Sequence, residues 1–124
     1  MRILIVDDDP VAGEISQAIL EAEGYDTLLA GGAGAARGLI STDADIGLVV
    51  SDHRMPGKSG LELHKELAAE GSKLPFILLS ADDPEKLREL APGLDAVLAK
   101  DEALTSALPS AAARLIGKGK GGEA

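Results

Sequence analysis

The 124-residue chain contains no cysteine, so it can build no disulfide, thiolate metal site or cysteine nucleophile, and its redox compartment is not legible. Aromatic residues are almost missing too, at 2% against 45% apolar residues overall, so the core has to be packed from Leu, Ile, Val and Ala. Cations are scarce: 12 Lys and Arg face 21 Asp and Glu, a formal net charge of −9. That balance argues against a nucleic-acid or anionic-membrane surface, which needs a basic patch. A local concentration of acids would instead attract a divalent cation or a basic partner. No apolar run approaches the roughly 20 residues of a membrane span. The first residues lead into a strand pattern with no secretory signal, so a cytoplasmic protein is expected. A chain of this length suits one domain that buries roughly two-thirds of its unfolded surface.

What is present alternates between two periods. Ile3-Leu4-Ile5-Val6, Leu48-Val49-Val50 and Phe76-Ile77-Leu78-Leu79 are short apolar runs of the kind buried on both faces of a parallel sheet. Tyr25 to Ala30 is more polar and reads as an edge strand; Asp95 to Ala99 reads as a fifth strand. Between the runs lie helical patterns. Asp9 is placed as an N-cap before Pro10, and Val11, Ile15, Ala18, Ile19 and Ala22 follow at the spacing of one helical face, stopped by Gly24. Gly31 to Thr42 is a weak helix, since Gly31, Gly32, Gly34 and Gly38 each cost up to about 1 kcal/mol relative to Ala. Ser59-Gly60-Leu61-Glu62 has capping-box spacing, with Leu63 and Leu67 on the buried stripe and a stop near Gly71. Asp83-Pro84 starts a fourth helix that Pro92-Gly93 ends. The last helix is expected to begin near Thr105, because Pro109 is tolerated in a first turn, with Leu108, Ala112 and Leu115 inward. Residues 1–116 then form the domain, and 117–124, rich in Gly and Lys, a flexible tail. Strands alternating with helices through right-handed crossovers give an α/β fold, a parallel sheet covered on both faces.

Parallel strands bring their carboxyl ends to one edge, where open α/β sheets place ligand chemistry. Waiting there are Asp7, Asp8 and Asp9 after strand one, Asp52 after strand three, Ser80 after strand four and Lys100 after strand five. Asp9 reads as a helix cap rather than a ligand, and Asp52 taken alone would also fit a turn. Together, however, the carboxylates repel unless a cation joins them, and oxygen-only ligands select a hard ion such as Mg²⁺. A hydroxyl and an ammonium converging on the same place suit an anion such as a phosphoryl group, beside a carboxylate nucleophile.

Four stretches carry a resemblance that covers Arg2 to about Ile116: Ile-Leu-Ile-Val-Asp-Asp-Asp-Pro at the start, Val-Ser-Asp-His-Arg-Met-Pro-Gly-Lys-Ser-Gly in the middle, Ile-Leu-Leu-Ser-Ala at Ser80 and Val-Leu-Ala-Lys at Lys100. In order and spacing they resemble the receiver domains of two-component response regulators. The resemblance implies a flavodoxin-like (βα)5 three-layer sandwich with strand order 2-1-3-4-5. It implies that Asp52 accepts a phosphoryl group from a sensor histidine kinase or histidine phosphotransfer protein. Asp7, Asp8, Asp52 and the main-chain carbonyl of Arg54 would hold Mg²⁺, while Ser80 and Lys100 would bind the phosphoryl oxygens. A downstream protein would read the surface of the fourth helix, fifth strand and fifth helix. On this reading the chain is a signalling phosphoacceptor and not an enzyme in the ordinary sense.

Two positions depart from the family pattern. Lys100 is followed by Asp101 where the family has a proline after a cis bond; a cis bond before a non-proline costs about 2.5–4 kcal/mol, so a trans bond is expected. Lys100 could then point elsewhere, with Asp101 competing for it. Val97 stands where an aromatic ring usually rotates. Arg54 and Asp82 occupy positions that tune phosphoryl lifetime in the family, as an ion pair over the site or as an exposed one worth 0–1 kcal/mol. His53 and His64 match no motif and are expected at the surface. Two alternatives are open: a phosphorylation-independent docking module of the same fold, and a small haloacid-dehalogenase-like phosphatase using Asp7-Asp8-Asp9-Pro10-Val11.

Overall fold

Five parallel strands form one sheet in the order β2-β1-β3-β4-β5. The computed structural model describes residues 1–81, 84–90 and 93–119. In chain order the elements are β1 (Arg2–Val6), α1 (Pro10–Glu21), β2 (Asp26–Ala30), α2 (Ala33–Thr42), β3 (Ile46–Asp52), α3 (Gly60–Ala69), β4 (Phe76–Ser80), α4 (Pro84–Leu90), β5 (Ala96–Ala99) and α5 (Leu104–Gly119). This is the expected flavodoxin-like architecture, with β2 and β5 at the edges.

The period of two along each strand divides the core. Leu4, Val6, Val49, Leu78 and Val97 face Ala33 and Ala36 of α2, Leu63 and Leu67 of α3 and Leu87 of α4. Ile3, Ile5, Leu48, Val50, Ile77 and Leu79 face Leu20 of α1 and Leu104, Leu108, Ala112 and Leu115 of α5. Each such Val, Leu or Ile contributes about 1.5–3 kcal/mol by burial. Local signals support the same elements. Asp9 Oδ1 accepts the Val11 N–H at 3.0 Å, and the Ser59–Glu62 capping box closes in both directions. Gly24 and Gly71 leave α1 and α3 at φ +91° and +87°, where a side chain would be strained.

Three expectations need correction. The apolar face read for α1 meets the core only in part: Ile19 packs against it, but Val11 and Ile15 are 64% and 54% exposed, while Gly13, Ser16 and Leu20 are buried. At its N-terminal half the helix lies so close to the sheet that a Cβ at Gly13 would meet Leu29 Cδ1 at 2.6 Å, so Gly13 and Ser16 line the contact there and Val11 and Ile15 turn outward. Pro109 lies inside α5, not in its first turn. It removes the donor to the Thr105 carbonyl, where exposed neighbours leave water free to substitute. Finally, α5 runs to Gly119, past the expected boundary at 116. Residues 120–124, the cap assigned to Asp83 and the stop assigned to Pro92 lie outside the described residues.

Candidate functional site

β1 and β3 are paired neighbours in the middle of the sheet, so the chain leaving β1 brings Asp7 and Asp8 beside Asp52 at the end of β3. One carboxylate oxygen from each of Asp7, Asp8 and Asp52 lies within 4.8 Å of the others. The three differ in exposure: Asp7 is buried, Asp52 half-buried and Asp8 exposed, so the cluster opens toward solvent on one side. Asp7 is fixed at both ends. Its N–H donates to the Ala30 carbonyl at 3.0 Å, and its Oδ1 accepts the Asp9 N–H at 3.0 Å.

Lys100 enters from the end of β5. Its Nζ lies 3.1 Å from Asp7 Oδ2 and 3.3 Å from Asp52 Oδ1, bridging the two acids. Its N–H donates to the Ser80 carbonyl at 2.8 Å, which ties the ends of β4 and β5 together. Ser80, 1% exposed, closes the same edge. Burial pushes the Asp52 carboxyl above its ordinary value; the Lys100 charge opposes this, and the Asp7 and Asp8 charges add to it. Burial alone would lower the Lys100 ammonium, yet it is raised, because its hydrogen bond to Asp7 and the charges of Asp52 and Asp7 outweigh desolvation. The site therefore combines a carboxylate whose charge is unwelcome with an ammonium whose charge is secured.

The positions that depart from the family pattern behave differently from expectation in one respect. The Lys100–Asp101 bond is trans, as expected, but Lys100 still points into the acid cluster. Asp101 does not compete for it: its Oδ1 accepts the Ala103 N–H at 2.9 Å, and its carbonyl accepts the Leu104 N–H at 3.0 Å, so it caps the entry to α5. Val97 is buried at 1% exposure, and its carbonyl accepts Arg88 Nη2 from α4 at 2.7 Å. Arg54 is exposed in the loop after β3. Asp82 lies outside the described residues, and with it the Arg54–Asp82 pair.

His53 and His64 are half-buried rather than surface residues. The His64 ring meets Phe76 edge-on at 5.0 Å between centroids, and desolvation lowers its pKa against the opposing charge of Asp95. Sequence reasoning passed over Ser51 and Gly60, which pack against the Asp52 main chain; the visible signal was a lone Ser between the apolar run Leu48-Val49-Val50 and Asp52.

Residues 3–109 match the response regulator receiver domain. The chain belongs to that family. It is 44% identical over 88 residues to the transcriptional regulatory protein AruR of Pseudomonas aeruginosa, covering 68% of this chain and 36% of AruR. It is 37% identical over 110 residues to the response regulator MprA of Mycobacterium avium, covering 87% of this chain and 48% of MprA. The receiver domain thus spans less than half the length of these curated relatives. Among solved structures, the response regulator TrrA of Thermotoga maritima in complex with Mg²⁺ and BeF superposes with a TM-score of 0.83 at 29% identity, covering 92% of this chain and 97% of that one. The signal receiver domain of a signal transduction histidine kinase from Syntrophus aciditrophicus gives 0.80 at 32% identity, covering 94% and 90%. Two-component signalling is therefore the setting of this receiver domain. Among the described residues no helix is long and apolar enough to cross a membrane.

Proposed function

We propose that this receiver domain accepts a phosphoryl group on Asp52 from a phosphohistidine of a sensor kinase or phosphotransfer protein, with Mg²⁺ as the required ion. The observation that carries the reading is the meeting of three carboxylates with one ammonium at the ends of three strands, β1, β3 and β5. Asp7, Asp8, Asp52 and the Arg54 carbonyl would hold the ion, a hard cation matched to oxygen ligands. The ion supplies charge neutralisation at the phosphoryl oxygens. Asp52 is the nucleophile, half-buried at the rim. Lys100 and Ser80 take the phosphoryl oxygens, and positioning does the remaining work. The outward-facing Val11 and Ile15 lie on α1, which starts directly after Asp9, and offer a donor an apolar seat beside the acidic mouth.

The added group brings about −1.5 to −2 charges by analogy with other phosphorylated side chains. Drawing Ser80 and Lys100 toward it moves the joined ends of β4 and β5. The Arg88–Val97 hydrogen bond carries β5 and α4 together, so a downstream protein would read the α4–β5–α5 face. A haloacid-dehalogenase-like phosphatase is not favoured, since α1 begins at Pro10 and leaves no room for an inserted flap. A phosphorylation-independent docking module is not favoured either, since Lys100 keeps its place in the site.

Intact-mass measurement after incubation with phosphoramidate and Mg²⁺ tests the reading. One acid-stable, base-labile phosphoryl group is expected on the wild type and none on Asp52→Ala. A labelled Asp52→Ala protein would remove Asp52 as the acceptor.

A further inference from the structure

Ser51 follows the apolar run of β3 and is fully buried immediately before Asp52. A buried hydroxyl is costly unless hydrogen-bonded, and this one donates to the main-chain carbonyl of Asp52 at 2.9 Å. That carbonyl lies past the β1–β3 ladder, whose last register pair is Val6 with Ser51. Gly60, the first residue of α3, closes on it from outside. A Cβ there would fall inside contact distance of the Asp52 carbonyl oxygen, 2.7 Å from Leu78 Cδ1 and 2.9 Å from Ser51 Oγ. The Gly60 N–H donates to the His53 carbonyl at 2.8 Å, which fixes α3 in that place. The peptide plane after Asp52, whose His53 N–H donates to the Leu79 carbonyl at 2.8 Å, is held on its carbonyl side between a hydroxyl and a bare Cα. Because that plane begins at the Asp52 Cα, a shift of the held peptide displaces the Cα and with it the carboxylate that the Cα carries.

We propose that Ser51, with Gly60 as the opposing wall, is a positioning residue that aims the Asp52 carboxylate at the place it shares with Asp7, Asp8 and Lys100. The proposal rests on the reading of that cluster as the ion and phosphoryl site. Ser51 touches neither phosphoryl group nor ion; it acts through the peptide of Asp52. Misplacing a reacting group by about 1 Å can cost on the order of a hundredfold in rate, so a loosened carbonyl is visible kinetically.

Ser51→Thr and Ser51→Val have the same shape and differ only by the hydroxyl, and Ser51→Ala adds no atom to the packed site. For these and the wild type, the measurements are the rate of phosphorylation by phosphoramidate, Mg²⁺ affinity by amide NMR titration, and melting temperature. Ser51→Ala is expected to be slowed roughly tenfold with weaker Mg²⁺ binding. Ser51→Thr is expected to outpace Ser51→Val at matching melting temperatures. Ser51→Ala with wild-type rate and affinity, or Ser51→Val equal to Ser51→Thr, would overturn the proposal, as would rates that simply follow melting temperature. A wild type that accepts no phosphoryl group, while Mg²⁺ affinity still depends on the Ser51 hydroxyl, would bring down the acceptor reading and leave the positioning role standing.

Discussion

The two edges of the sheet handle charge in opposite ways. Where the strands begin, Arg2 Nη1 lies 2.7 Å from Asp43 Oδ2, and the terminal ammonium lies 3.3 Å from Asp45 Oδ2, so two cations meet two acids in partly exposed positions. Where the strands end, Lys100 is shared between Asp7 and Asp52, with Asp8 alongside and Asp7 only 2% exposed. The first arrangement balances itself in water and needs nothing more. The second crowds like charge where water is scarce. In the function proposed above, that crowding is what a ligand bringing positive charge relieves.

The comparison can be broken most strongly at Lys100. Lys100→Met leaves Asp7 buried without its ammonium, and urea unfolding at neutral pH should show a loss of about 3 kcal/mol, the scale of breaking a buried pair. Full retention of stability would mean that Lys100 is not what offsets the acids. Next comes the ion itself. At a hundred times its Kd, Mg²⁺ should raise the unfolding free energy of the wild type by about 2.7 kcal/mol. Asp8→Asn, exposed and outside the Lys100 bridge, should be at least as stable as the wild type without Mg²⁺ yet gain much less from the same concentration. At the opposite edge, Arg2→Met removes an exposed pair and should cost under about 1 kcal/mol, with no change in the response to Mg²⁺. A larger loss there would erase the contrast between the edges.

Most of the fold was legible because buried parallel strands and capped helices announce themselves locally. The runs at Ile3 and Val49, the cap at Asp9 and the box at Ser59 all describe short-range physics. So were the strand-end acids, whose meeting follows once the strands are parallel. The α1 face was misread because Val11 and Ile15 carry the apolar period, whereas the buried side is decided by how closely the helix approaches Leu29. That distance is a tertiary fact with no local signal beyond Gly13. The role of Asp101 was misjudged for a related reason. Its charge was visible, but whether it would turn to Lys100 or to the Ala103 N–H depends on the path of the chain into α5. The grip of Ser51 and Gly60 on Asp52 joins β3 to α3 at contact distance, which spacing does not express.

The central claim is that the acid cluster costs stability until a cation fills it, and comparing wild type with Asp52→Asn tests it most directly. The Asp52 carboxyl is raised by burial, so the folded protein takes up its proton before the unfolded chain does. The charged form at neutral pH is then a burden on the fold that Asp52→Asn removes; acidification through the raised value relieves the wild type and closes the gap. Unfolding free energies at pH 7 should therefore cross. Without Mg²⁺ Asp52→Asn should be the more stable protein, and in excess Mg²⁺ the wild type should be. A wild type that is more stable under both conditions, or one indifferent to Mg²⁺, would contradict the account.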